Sequence, residues 1–528
     1  MDGPQRPIGL TRRSFNAGLG AAAILGAEVR AWGRDNPPAF VIPDRARPGI
    51  PSGVASGDIS SRSGVVWART DRPARMVVEW STTDSFRDIH RVVGPAALPE
   101  DDFTAKLVLD QLPPGQRISY RVSFRDLASP KVSSHPVSGS FRTPSDEAAD
   151  VKLAWGGDTA GQGWGIDLAR GGMRIFESIR RARPDVFLHS GDHIYADNPI
   201  VAEVPLDDGS IWKNLVTEET SKVAETLAEF RGRYRYNSLD ANVRKLLAEV
   251  PLLAQWDDHE VLNNWYPGEM LDDARYTVKS VDLLAARARR AFFENIPTRV
   301  ASADSERIYR TVRYGPMLEV FLLDQRTYRG PNSVNRQAEP DEATAFLGPE
   351  QLAWLERSLE ASTATWKIIA SDMPIGLVVR DGATDFEAVA NGDPGPPLGR
   401  ELELAQLLRF VKARSIRNLV WLTADVHYAA AHHYAPDRAK FTEFTPFWEF
   451  VAGPLHAGTF GPGELDPTFG PRVEFCSLPP GTPPNSPPSA GLQFFGLARI
   501  DAKTKSLTVS LHNIEGNTVY SVELHPAH

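Results

Sequence analysis

In QRISYRVSFRD the apolar residues Ile118, Tyr120, Val122 and Phe124 fall at every second position, which predicts a half-buried strand. SGVVWART, ARMVVEWST and AKLVLDQL are similar short runs rich in Val, Trp and Leu, set apart by Gly, Pro and Asp. Together they predict a small β-sandwich over residues 38–145, with its exit at FRTPSDEAAD. The pattern changes at Val151. Apolar runs such as VKLAWGGD, DVFLHSGD, MLEVFLLDQRTY, WKIIASDMP and NLVWLTADVH now alternate with the amphipathic stretches MRIFESIRRARP, GPEQLAWLERSLEAS and ELAQLLRFVKARSI. Such alternation predicts an α/β unit over 150–525. Within it, 200–250 reads as a mostly helical insertion and 461–492, with PPGTPPNSPPSAG, as a Pro-rich surface loop. The last segment reads as three strands joined by turns. Leu352, Leu355 and Leu359, with Trp354, form a stripe that reads as core packing.

Composition narrows the function classes. The 528 residues carry a formal net charge of −9, which argues against a nucleic-acid-binding partner role. The one cysteine, Cys476, cannot form an internal disulfide and reads as an ordinary buried thiol. The opening residues place Arg12 and Arg13 in TRRSFN ahead of a weakly apolar stretch from Ala17 to Ala27. This resembles a twin-arginine (Tat) export signal over 1–31, with Val29-Arg30-Ala31 as a small-x-small cleavage site. The stretch is too short for a transmembrane anchor. The expected location is therefore the periplasm or the medium, and the Tat machinery is an expected partner.

The candidate chemistry lies where strands end. KLAWGGD ends on Asp158, DVFLHSGD on Asp192, WKIIASD on Asp372 and NLVWLTAD on Asp425, with His427 two residues on. PLLAQWDDHE adds Asp257, Asp258, His259 and Glu260. A single Asp in such a place is usually a turn residue. Several of them on the carboxyl edge of one sheet would repel one another unless cations joined them, so the pattern points to a metal centre. GGDTAGQG follows a strand but lacks the GxGxxG and Walker A spacings, which excludes a nucleotide-cradling loop.

HSGDHIYAD, QWDDHEVLNNW, LLDQRTYR, TADVHYA and EFVAGPLHAG, taken in order with SGVASGDISSRSGVVWART, resemble the alkaline phosphatase D (PhoD-like) family of calcineurin-like metallophosphoesterases. LDQLPPGQRISYRV resembles part of a fibronectin type III module. The resemblance implies a metallophosphoesterase sandwich of two mixed β-sheets flanked by helices, preceded by that small β-sandwich. It implies an exported phosphoric ester hydrolase in which a metal-activated water or hydroxide attacks phosphorus. A phosphodiesterase or phospholipase D using the same centre is the alternative. By position, Asp158, Asp192, Tyr195 and His427 would hold Fe3+, and Asp192, Asp258, Asp372 and Asp425 would hold Ca2+. Mn2+, Mg2+ or Zn2+ are the alternatives at that second site. His259 would be the general acid, and Asn263, Asn264 and His456 would bind substrate. Some relatives place a cysteine ligand in the first strand motif, where this chain has Asp158. Arg326 and Arg329 read as supports paired with Asp324, His189 as structural and His193 as a support behind the ligands. His432 and His433 read as merely exposed.

Overall fold

The computed structural model describes residues 42–300 and 306–527, so the expected export segment lies outside the described residues. Seven strands come first: β1 (Val54–Gly57), β2 (Gly64–Arg69), β3 (Ala74–Ser81), β4 (His90–Ala97), β5 (Thr104–Leu109), β6 (Arg117–Asp126) and β7 (Val137–Arg142). The order β4-β3-β6-β7 makes one sheet, and β1-β2-β5 lies on the other side of a common core. Ile118, Tyr120, Val122 and Phe124 all point into that core against Val66, Ala68 and Val78. Full burial of side chains this size stabilises by roughly 1.5–3 kcal/mol each. The expected sandwich is present.

The larger unit continues with β8 (Val151–Gly156), β9 (Val186–Ser190), the hairpin β10 (Glu203–Pro205) and β11 (Ile211–Lys213), β12 (Leu252–Gln255), β13 (Arg310–Tyr314) and β14 (Leu318–Leu322). Then come β15 (Trp366–Ala370), the hairpin β16 (Arg380–Asp381) and β17 (Asp385–Phe386), β18 (Leu419–Thr423), β19 (Ala430–Tyr434), β20 (Phe447–Val451) and β21 (Pro471–Cys476). The chain closes with β22 (Phe494–Ile500), β23 (Leu507–Asn513) and β24 (Thr518–Leu524). Its helices are α1 (Arg174–Ala182), α2 (Leu227–Asn237), α3 (Ala241–Glu249), α4 (Val281–Asn295), α5 (Gly348–Ala361) and α6 (Glu401–Ala413).

Two mixed sheets face each other. The first runs β24-β23-β22-β8-β9-β12-β1-β2-β5 and the second β13-β14-β15-β18-β20-β19-β21. Successive side chains on a strand point to opposite faces, and here both faces are covered, so the strands read as unbroken apolar runs. Leu153, Trp155, Leu188, Leu253, Ile368, Ala370, Val420 and Leu422 meet between the sheets. Their neighbours Ala154, Phe187 and Ala254 pack outward on α1, α3 and α4. Ile369 and Trp421 do the same on α5 and α6, where Leu352, Leu355 and Leu359 form the expected stripe.

The pairs β8–β9, β9–β12 and β15–β18 are parallel, so their carboxyl ends gather on one edge. The sandwich joins this sheet directly, because β1 pairs in parallel with β12, Gly57 opposite Leu252. Among the described residues no helix is long and apolar enough to cross a membrane.

Two local expectations need correction. The insertion over 200–250 opens with the β10–β11 hairpin, turned by Asp208 and Gly209 (φ 81°), and its first helix starts only at Leu227. The start is set by Thr226 and Glu229, whose side chains cap each other's backbone N–H groups. Cys476 is partly exposed, not buried, because β21 is an edge strand.

The junction between sandwich and sheet is tight. A Cβ on Gly57 would sit 2.6 Å from the Leu252 carbonyl oxygen and closer still to that of Pro297. Gly57→Val should therefore lower unfolding stability by about 3 kcal/mol in urea titration, as expected for an overpacked backbone contact. An unchanged midpoint would mean that β1 and β12 can separate without cost.

Candidate metal centre

The strand ends turn sharply. Asp158 (φ 69°), Asp192 (φ 52°), Asp425 (φ 65°) and His427 (φ 62°) all adopt the left-handed region, which costs a non-glycine residue about 1 kcal/mol or more. Hydrogen bonds between neighbouring turns hold them there. Thr159 N–H donates to the Asp192 carbonyl at 2.9 Å, Ala424 N–H to that of Asp372 at 2.7 Å, and His456 N–H to that of Asp158 at 2.9 Å. The Glu260 carboxylate ties two turns together. Its Oε2 accepts from the backbone N–H groups of Asp192 (3.1 Å) and Asp257 (2.7 Å), and its Oε1 from that of His193 (2.6 Å).

These turns bring acids from both sheets together. Ligand atoms of Asp158, Asp192 and His427 lie within 4.8 Å of one another; so do those of Asp192, Asp258 and His259, and those of Asp257, Asp258 and Asp425. Asp192 is common to the first two groups and Asp258 to the last two. Tyr195 Oη lies 3.0 Å from His427 Nε2, which is itself 3.8 Å from Asp158 Oδ1. His427 Nδ1 is 2.5 Å from the Gly458 carbonyl oxygen. That contact directs Nδ1–H outward and leaves the Nε2 lone pair facing Asp158 and Tyr195. Asp372 completes the cluster beside Asp257.

Electrostatics make the cluster costly without cations. Burial, then neighbouring carboxylates, pushes Asp158, Asp192 and Asp372 well above the usual carboxylate range. Burial also holds the Tyr195 phenol well up and lowers His427 to about 4, leaving a neutral imidazole. Asp258 behaves differently: burial raises it, but His259 and Arg326 together bring it below the ordinary value. Both oxygens of Asp158 and one each of Asp192, Asp257 and Asp372 are buried with no hydrogen-bond partner. Buried polar atoms are seldom left so. Carboxylates, a phenol and a neutral imidazole with free lone pairs are the donor set that hard cations take, so the residues fit metal ions.

His259 stands over this cluster. Its Nδ1 is 2.7 Å from Asp197 Oδ1, its ring lies 4.2 Å from that of Tyr195, and its backbone N–H donates to Asp258 and Asp192. Burial opposes the imidazolium, yet Asp197 and Asp258 prevail and raise it to about 9. Asn263 donates its backbone N–H to Asp197 Oδ2 (3.1 Å) and is exposed. Asn264 donates its backbone N–H to Asp258 at 2.6 Å, and its amide donates to Asp381 at 3.3 Å. It braces Asp258 and the β16–β17 hairpin.

Other expected residues lie elsewhere. His456 Nε2 is bonded to the Gly165 carbonyl (3.0 Å) and its ring packs near Trp212, so only its backbone touches the ligand loop. His193 stacks on His189 at 3.7 Å, and His189 bonds Thr159. His432 is buried against Glu449 at 2.9 Å, not exposed, because it faces inward on β19. The guanidinium of Arg326 binds Asp257 and Glu387, and Arg329 binds Glu387; Asp324 instead accepts from Trp256, Thr327 and the Arg326 backbone.

Sequence reasoning missed the supporting roles of Asp197, Glu260 and Glu387. HIYAD holds a signal for the first, as its Asp follows Tyr195 by two residues. Glu387, in DFEAVAN, has none.

Comparison with known proteins identifies the family and the fold. A sequence model of PhoD-like phosphatases matches residues 153–511, and one for the N-terminal domain of PhoD-like phosphatases matches residues 36–145. Alkaline phosphatase D of Bacillus subtilis (strain 168) is 28% identical over 431 residues, covering 78% of this chain and 70% of that protein. The solved structure of PhoD is 20% identical with a TM-score of 0.67, covering 91% of this chain and 94% of that one. A purple acid phosphatase from yellow lupin (Lupinus luteus) seeds is 13% identical with a TM-score of 0.57, covering 91% and 74%. Both structures share the fold.

Asp192→Asn tests the repulsion. Asparagine tolerates the left-handed turn but carries no charge. In chelator-treated protein the variant should be about 1–2 kcal/mol more stable than wild type at pH 8. A raised folded-state pKa contributes stability below the unfolded value that is lost as pH rises. The gain should therefore be smaller at pH 5, because the raised carboxyls of Asp158, Asp192 and Asp372 take up protons as pH falls. Urea titrations of both proteins at the two pH values read this directly; a variant weaker than wild type at pH 8 would refute it.

Proposed function

Since the chain belongs to the PhoD-like phosphatase family and is a metal-dependent phosphoesterase, we propose that Asp158, Asp192, Tyr195 and His427 hold one metal ion and Asp192, Asp258, Asp372 and Asp425 a second. The observation that carries this reading is the membership of Asp192 in two ligand groups at once, with an oxygen left unpartnered. A phenol beside carboxylates and one imidazole suits Fe3+ in the first position. The all-carboxylate second position suits Ca2+, with Mn2+, Mg2+ and Zn2+ as alternatives.

Two metal ions held by these residues would supply an acidified water and stabilise charge on the phosphoryl oxygens. The chain's own residues do the rest. His259, held through Nδ1 by Asp197, presents Nε2 to the leaving-group oxygen and gives it a proton. Asp197 keeps that ring in one tautomer and one orientation. Asn263, exposed and bonded to Asp197, serves as a substrate contact, and Asn264 acts by positioning Asp258. His456 has no part in this chemistry, its Nε2 being committed to Gly165.

The arrangement along the chain follows the same reading. Residues 1–31 direct export by the Tat route to the periplasm or the medium, 38–145 form the sandwich module, and 150–525 form the catalytic unit. The insertion at 200–250 and the Pro-rich loop at 461–492 flank it. Gly458 and Phe460, which touch His427, join that loop to the ligand shell.

Turnover of p-nitrophenyl phosphate against bis-p-nitrophenyl phosphate, on metal-loaded protein with calcium supplied, tests the reading. Faster monoester cleavage supports a phosphatase, and faster diester cleavage a phosphodiesterase or phospholipase D at the same centre. Cleavage of neither sinks the reading. Asp192→Asn should abolish turnover and lower metal content. His259→Ala should cost about 10²–10⁴-fold in kcat, and more for esters with poor leaving groups, because those need the proton most. Asp197→Asn should follow the same leaving-group trend with a smaller loss, about 10–100-fold. Equal losses for good and poor leaving groups would remove His259 as the acid. Iron-loaded wild type should show a visible charge-transfer band that Tyr195→Phe lacks.

A further inference from the structure

One strong positive charge lies against the acid cluster and takes no part in the chemistry above. Arg326 donates from Nε to Asp257 Oδ1 at 2.6 Å and from Nη1 to Glu387 Oε1, and its Nη2 lies 2.5 Å from Asp257 Oδ1 as an ion-pair contact without hydrogen-bond geometry. Its Nε is also 3.8 Å from Asp372 Oδ2. Arg329 shares Glu387 from the other side at 2.7 Å, so much of the Arg326 charge is left for Asp257 and Asp372. All of these side chains are at most 1% exposed. Asp257 nevertheless keeps an oxygen within 4.8 Å of ligand atoms on Asp258 and Asp425, inside the second site. Its Oδ2 has no partner.

A guanidinium has five donors, no acceptor and no accessible neutral form in proteins. It is a permanent cation beside a cluster built for exchangeable ones. No lysine or arginine among the described residues makes an ion pair with Asp158 of the first site, whereas Asp372 of the second has Arg326 at 3.8 Å.

We propose that Arg326 is a built-in cation of the second site, which holds Asp257 as a wall of that site instead of a ligand and limits its affinity for divalent ions. The inference rests on the reading that the second cluster binds a metal. It goes beyond that reading by assigning the control of affinity to a residue that touches neither metal nor substrate.

The test is calorimetric titration of chelator-treated protein with Mn2+, with circular dichroism to report the fold. Arg326→Gln frees one carboxylate and removes a repelling charge, so Mn2+ should bind about tenfold more tightly than in wild type. Asp257→Asn leaves the guanidinium less neutralised, and Mn2+ should bind about tenfold more weakly. Adding Arg326→Gln to Asp257→Asn should restore wild-type affinity to within about threefold. This comparison holds even where Arg326→Gln alone fails to fold, because the double variant leaves no unpaired Asp257. Equal Mn2+ affinity in Asp257→Asn and the double variant would overturn the proposal and leave Arg326 a brace. Absence of Mn2+ binding by wild type would overturn the metal-centre reading itself, a separate outcome.

Discussion

Mutual repulsion among buried carboxylates is the constraint around which this molecule is arranged. Asp158, Asp192, Asp257, Asp258 and Asp372 converge from two sheets in a place that water scarcely reaches. A protein interior does not tolerate such a set in ionised form unless positive charge balances it. The surrounding features answer this demand in different ways. Glu260 spends its oxygens on backbone N–H groups, Arg326 sits behind Asp257, and His259 is drawn towards its charged form by Asp197 and Asp258. What remains unbalanced, chiefly around Asp158 and Asp192, is the part that fits metal ions.

The backbone is strained at the same points. Four of the expected ligands stand in left-handed turns, each pinned to or close beside a hydrogen bond from another turn. Strain of this kind persists only where the surrounding structure over-determines it. Two close-packed sheets with helices on both outer faces provide that determination, and parallel strands put all the turns on one edge. The fold thereby converts a feature of each strand, an acid just past its end, into a property of the whole edge. It also explains why the hydrogen-bonded pair His259 and Asp197 can be so well aligned: each follows a proposed ligand, Asp258 or Tyr195, by one or two residues and inherits its rigidity.

Much of this was legible in the chain. Period-two and unbroken apolar runs identified the sandwich and the α/β unit, and acids at strand ends marked the edge that carries the chemistry. The parts that were not legible depend on side-chain direction and on distant partners. Nothing near Arg326 says that its guanidinium reaches Asp257 and Glu387 instead of Asp324, because the choice is made by how β12 and the 387 segment approach it. His432 and His433 look equivalent in sequence, yet alternation along β19 buries the first. His456 sits in a recognisable motif but turns its ring away from the ligands. In the insertion, helical periodicity hid a hairpin, because a two-strand ribbon needs only a Gly turn and a few paired residues.

The direct pairing of β1 with β12 bears on how such a protein can be inherited. Beads on a string can be gained, lost or exchanged by cutting the linker between them. Here a cut after the sandwich would leave β12 with bare backbone donors and acceptors along an open margin, an invitation to self-association. Separating the two parts would therefore require some other cover for that margin.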